Sequence, residues 1–281
     1  MLKHKALKTA AIVAAAAMIS LSVAVQASAQ TTQEESQAIW KSLKPDVFGD
    51  KPIAMADPAT LQVIAPKRAQ DAGIVPVDIA IPASAGKSKV VAVTLIVDAN
   101  PSPLAAVFKI GEESGVSRIS TRLRINDYSF VRAIAETESG ELLMSETYVK
   151  ATGGCSAPAV RDPKEAKATM GIMKLKQFPP QQGAAKQPRR ELQLMVRHPN
   201  HSGFQMDQIT RYYIPPHFIN KVNITQGGRP ILSMEGGISI SEDPNFRFDT
   251  LLQPAGDIEI EATDTKGTVF RNEFPLEATG L

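Results

Sequence analysis

Val75-Pro76-Val77-Asp78-Ile79-Ala80-Ile81 sets a β-branched side chain at every second position, which gives one hydrophobic face only if the backbone is extended. The same period recurs in Val91, Val93, Leu95 and Val97. It recurs again in Ile119, Thr121, Leu123 and Ile125, set against Arg118, Ser120, Arg122 and Arg124. Val131, Ala133 and Ala135 form a further run, and Leu142 to Val149 another. Ala85-Gly86, Asn100-Pro101, Asn126-Asp127 and Ser139-Gly140 supply turns between them. Short alternating strands at this spacing predict an antiparallel β-sandwich. Only Gln33 to Leu43, with Ile39, Trp40 and Leu43 on one side, reads as a helix, and Lys44-Pro45 is expected to end it.

Working outward, the alternation stops at Ala151. Gly153-Gly154, Pro158, Pro163, Pro179-Pro180, Gly183 and Pro188, spaced among Lys, Gln and Ala, have the composition of a linker. Strand signals resume at Leu192-Gln193-Leu194-Met195-Val196. They continue through residues 218–224, 230–234, 245–248, 258–262 and 268–274, with turns at Gly227-Gly228, Gly236-Gly237 and Lys266-Gly267. The fold class is therefore all-β. A first sandwich domain with its glycine arm spans residues 30–155, a flexible linker 156–190 and a second sandwich 191–281.

Residues 1–29 have a basic start (Lys3, Lys5, Lys8), an apolar run from Ala10 to Val25 and the small-residue site Ala27-Ser28-Ala29. That is the form of a cleaved secretory signal peptide. About 16 apolar residues is short for a span that needs roughly 20. The expected location is the periplasm. Cleavage takes 31 basic residues to 28 against 29 acidic ones, so the net charge moves from +2 to −1. The basic balance of the full chain thus belongs to targeting and gives no argument for nucleic acid binding.

One cysteine in an exported chain excludes an internal disulfide and leaves either a working thiol or an incidental one. Cys155 follows Gly153-Gly154 and precedes Ser156-Ala157-Pro158, outside every predicted strand. The glycines leave the sulfur approachable, which predicts an exposed thiol on a flexible arm. His198-Pro199-Asn200-His201 and His217 are the other candidates. Pro199 and Asn200 make that pair a turn, and no Asp, Glu or Cys stands at ligand spacing beside it. They are read as loop or interface histidines, with no metal and no cofactor. Arg118, Arg122 and Arg124 read as a solvated strand face or a contact for an acidic partner. Asn200-His201-Ser202 and Asn223-Ile224-Thr225 fit the weak glycosylation pattern. No nucleophile–base–orienter set, phosphate loop or H-E-x-x-H motif is present, so a self-contained enzyme is not expected.

Several stretches resemble SoxY, the sulfur-carrying subunit of bacterial thiosulfate oxidation. They are Ile64-Ala65-Pro66, Asp71-Ala72-Gly73-Ile74-Val75-Pro76-Val77, Asn100-Pro101-Ser102-Pro103-Leu104-Ala105, Ser120-Thr121-Arg122-Leu123-Arg124 and Val149-Lys150-Ala151-Thr152-Gly153-Gly154-Cys155. The second half resembles its partner SoxZ through Val196-Arg197-His198-Pro199, Ile214-Pro215-Pro216-His217-Phe218-Ile219, Ser241-Glu242-Asp243-Pro244 and Ala255-Gly256-Asp257. The whole is similar to fused SoxYZ-like carriers associated with quinoprotein dehydrogenases. The resemblance implies two immunoglobulin-like sandwiches that pack on each other. It implies a covalent attachment point at Cys155 on an arm of Gly153, Gly154 and Ser156. The implied partners are periplasmic redox or sulfur-processing enzymes, a quinoprotein dehydrogenase among them. SoxY ends its arm as Gly-Gly-Cys-Gly-Gly, whereas here Ser156-Ala157-Pro158 and a second domain follow. Such an arm is tied at both ends, with slack of ~35 Å for a flexible 40-residue coil, and suits delivery to shallow or open partner sites.

Overall fold

The computed structural model describes residues 30–81, 88–179 and 189–277. The expected signal peptide and the stretch 180–188 of the expected linker lie outside them. No helix among the described residues is long and apolar enough to cross a membrane.

Helix α1 (Gln33–Phe48) starts at a capping box, in which Thr32 and Glu35 satisfy each other's backbone N–H groups. It runs through Pro45, beyond the expected stop. Phe48 packs edge-on against Trp40, with ring centroids 6.2 Å apart, and this anchors the turn that the proline weakens. The strands of the first half are β1 (Ile53–Met55), β2 (Gln62–Ile64), β3 (Val75–Ala80), β4 (Val90–Val97), β5 (Leu104–Ile110), β6 (Arg118–Leu123), β7 (Ser129–Thr137) and β8 (Leu142–Val149). After α2 (Pro163–Ala168) come β9 (Met173–Gln177), β10 (Arg189–Val196), β11 (Ile219–Gln226), β12 (Arg229–Gly236), β13 (Asn245–Leu251), β14 (Ile258–Asp264) and β15 (Val269–Phe274).

Each half is a small two-layer sandwich, as the period-two pattern predicts, but the halves are fused edge to edge. One sheet runs β1-β8-β7-β4-β5-β12-β11-β14-β15 and the other β2-β3-β6-β13-β10-β9. The joins are antiparallel ladders. In one, Leu232 to Gly236 pair with Ile110 to Ala106; in the other, Arg247, Phe248 and Asp249 pair with Ser120, Ile119 and Arg118. Both halves feed one hydrophobic core, in which Phe108 of β5 meets Phe246 of β13 with centroids 6.1 Å apart. The two joins cover four strand borders, those of β5, β12, β6 and β13, that would otherwise template aggregation.

The stretch 156–190 is not linker throughout. Asp162 caps α2 by accepting from the N–H groups of Lys164 and Glu165. β9 then adds to the free edge of β10. Its Met173 and Gln177 turn inward while Lys174 and Lys176 stay in water. Outward lysines protect an edge strand, and they also give it the composition of a linker.

On the outer face of the larger sheet, α1 covers a buried ion pair. Arg132 is fully buried, 2.8 Å from Asp98 through both Nε and Nη2, and it also donates to Glu146. Ser36 of the helix donates to the same Asp98 at 2.8 Å, and Trp40 stacks near the guanidinium.

Candidate functional site at the seam of the two halves

Beyond β8 the chain turns toward the second half. Gly153 adopts φ +77°, a left-handed conformation costly for residues with a Cβ. Its N–H donates to Asn126 O at 2.8 Å, and that of Gly154 to Ile125 O at 3.0 Å. A Cβ on Gly154 would lie 2.1 Å from Ala72 O, so only glycine lets the arm sit this close to the strand ends. The backbone then folds over, Ser156 N–H and Oγ both donating to Gly153 O, and carries Cys155 inward.

Cys155 is completely buried, contrary to the exposed thiol expected from its glycine-rich surroundings. The cover comes from the second half. Ser202 Oγ donates to the Cys155 carbonyl, and Gln205 Nε2 donates to Ala157 O at 2.9 Å. Gln205 is in turn held by the Ser202 N–H, donating to its Oε1 at 3.2 Å. Burial pushes the thiol up to about 11 from an ordinary 9.0, and the Arg124 guanidinium only partly offsets that. In this arrangement the sulfur is a poor nucleophile, because the thiolate is the reactive form.

Only Arg118 of the three alternating arginines matches the expected solvated face; it is exposed and 2.9 Å from Asp78. Arg124 is buried and donates to Ile240 O at 2.6 Å, and Arg122 donates to Asp243 O at 2.8 Å. Residues 238–243 of the second half cover this end of the sheet, which turns two surface cations into seam residues. Asn100 completes the seam, its Nδ2 2.8 Å from both Arg124 O and Ser239 Oγ. Beside the arm lies a cleft of about 470 Å³ whose charged lining is Arg122, Arg161, Arg197 and Lys174 against Glu242 and Asp243, the last paired with Arg161 and Arg197. Its excess of cations suits an anionic group.

The histidines regroup as well. His198 and His201, three positions apart in sequence, do not share a partner: His201 Nδ1 lies 3.1 Å from Gln205 Oε1, behind the cover of the arm. His198 instead faces His217, ring centroids 4.7 Å apart, and both face Asp264. His217 Nε2 is 2.8 Å from Asp264 Oδ2, and His198 Nε2 is 3.8 Å from it. Burial, reinforced by His217, lowers His198 to about 4. Asp264 carried no signal in the sequence, lying 47 positions from His217. Asn200 is buried and bonded to Ile219 N–H and Ile240 O, so its acceptor motif is closed to glycosylation in the folded chain. Asn223 stands within β11.

Residues 44–155 match the family model for the sulfur oxidation protein SoxY, and residues 178–275 that for the sulphur oxidation protein SoxZ. The first match ends on Cys155 itself. No curated protein sequence matches the chain.

Proposed function

The chain is a fused SoxYZ-like protein, a SoxY domain running into a SoxZ domain, and from that premise we propose that it is a periplasmic, non-enzymatic covalent carrier loaded on Cys155. The observation that carries this reading is the end of the SoxY match on a cysteine at a glycine turn, Gly153-Gly154-Cys155, lodged between the two domains. Loading as a persulfide balances without an added oxidant: the thiolate attacks the sulfane sulfur of a donor, an S–S bond forms, and the electron pair of the breaking bond leaves with the donor. The proton lost by Cys155 goes to solvent. The cation-lined cleft beside the arm favours an anionic cargo or donor.

The closed thiol sets a condition on carriage. Cys155 has to leave the cover of Ser202 and Gln205 before a partner reaches it, and the arm is pinned again where β9 begins at Met173. The free length is therefore at most residues 150–172 and not the whole connection, and because α2 occupies part of it the reach is below the ~25 Å of a flexible coil of that length. A loop of that reach serves an open partner site better than a deep tunnel.

A second reading takes its support from the same burial. A thiol sealed under the SoxZ domain is compatible with a non-covalent docking protein for a quinoprotein dehydrogenase, in which Cys155 is only packing. Replacing the chromosomal copy by Cys155→Ser separates the two. The carrier reading expects loss of the sulfur-dependent or dehydrogenase-dependent growth that the wild type supports. Undiminished growth would favour docking and sink carriage.

A further inference from the structure

We propose that His198, His217 and Asp264 form a binding site for one divalent transition-metal ion of the zinc type. All three side chains are buried, and their donor atoms, one from each residue, lie within 4.8 Å of one another. Zinc held tetrahedrally at ~2.0–2.1 Å needs neighbouring donors roughly 3.3 Å apart. The two separations to Asp264 Oδ2, 2.8 Å from His217 and 3.8 Å from His198, straddle that distance. The third separation, between the two imidazoles, is within 4.8 Å, so closing the set requires the rings to draw together around the ion.

The surroundings point the same way. His198 Nε2 is buried with no hydrogen-bond partner, and it faces the carboxylate across a gap too long for a hydrogen bond. Two groups of Asn200 meet His198 Nδ1: its Oδ1 at 2.9 Å accepts from a protonated Nδ1, the tautomer that leaves the Nε2 lone pair for an ion, while its backbone N–H at 3.1 Å favours the opposite tautomer, so ion binding selects the first. Asp264 is oriented too. Its Oδ1 accepts from the N–H groups of Lys266 at 2.8 Å and Thr268 at 2.9 Å, which leaves Oδ2 for the two imidazoles. The hydrogen shared by His217 and Asp264 is displaced on binding, moving to His217 Nδ1 or to solvent. Two neutral imidazoles and one carboxylate are the three-ligand set of a zinc site whose fourth position is a water. His217, with 10% side-chain exposure against none for the other two, marks the side from which ion and water enter.

The site has a mechanical role in this chain. It ties the segment after β10, the start of β11 and the β14–β15 turn into one node. His217 N–H donates to His201 O at 2.9 Å, next to Ser202, whose hydroxyl covers Cys155. An ion there stiffens the base of that cover.

The test uses full-length protein stripped with a chelator, in a Cys155→Ser background so that the thiol cannot act as ligand. Titration with Co²⁺ is expected to give visible d–d absorption of tetrahedral intensity that saturates at one equivalent and is displaced by Zn²⁺. Zn²⁺ should also raise the thermal midpoint. Both responses should vanish in His198→Gln and in Asp264→Asn. Absence of the absorption in the Cys155→Ser parent, together with absence of any Zn²⁺-dependent midpoint shift in both that parent and the wild-type chain, overturns the proposal. Absorption that survives in both variants overturns it as well, placing the ion elsewhere.

Discussion

Ser202→Ala is expected to expose Cys155 without touching it. In the closed arm the thiol is suppressed twice. A rise from 9.0 to about 11 lowers the thiolate fraction near neutral pH roughly 100-fold, and complete burial blocks any reagent until the arm lifts. Native-state labelling therefore proceeds through a minor open state, at a rate set by its population. Ser202 Oγ donates to the Cys155 carbonyl, and removing it leaves that buried acceptor unpaired at a cost of about 1–3 kcal/mol to the closed form. The open population, and with it the labelling rate, should rise about 5- to 150-fold, since 1.4 kcal/mol is a factor of ten. The assay is the rate of reaction of Cys155 with a chromogenic disulfide at neutral pH, compared among wild type, Ser202→Ala and Ser156→Ala. Ser156 bonds only within the exposed turn, so its variant controls for general loosening. Urea midpoints measured in parallel show whether opening is local. Equal rates for wild type and Ser202→Ala would refute the argument, as would wild-type labelling as fast as that of the unfolded chain.

Two further outcomes follow from the same structure. Asp98→Ala should cost about 3–5 kcal/mol in urea unfolding, because it removes the buried carboxylate that holds Nε and Nη2 of the fully buried Arg132 and leaves only Glu146, on Nη1, to balance the charge. Stability should also fall as pH rises from about 9 to about 11. Over that window the unfolded thiol ionises while the buried one stays protonated, a loss of up to ~3 kcal/mol. Chemical denaturation of the wild type beside Cys155→Ser measures it, and an unchanged difference between the two across the window would contradict the burial argument.

The strands β3, β6 and β10, which alternate in sequence, have one face in the core and one nearer water, whereas β4 ends with both faces covered, Ile96 lying under α1. β5 was hidden because it lies inside the fused sheet between β4 and β12, where Ala105, Ala106, Phe108 and Ile110 are buried without strict alternation. β9 was hidden by its protective lysines. The glycine turn of the arm was legible in Gly153-Gly154-Cys155, but its closure was not, since Ser202 stands 47 positions away and reaches Cys155 only through the pairing of the two halves. Asp264 escaped for the same reason. Local sequence reports period and turn chemistry; what covers a loop depends on which edges join.

The claim that Cys155 carries cargo is tested most directly by the intact mass of protein isolated from its own compartment under sulfur-compound supply, before and after reduction. The account predicts a fraction of the chain heavier by a sulfur-containing group that reductant removes and that peptide mapping places on Cys155. A single unmodified mass under every condition of supply, with and without reductant, would contradict it.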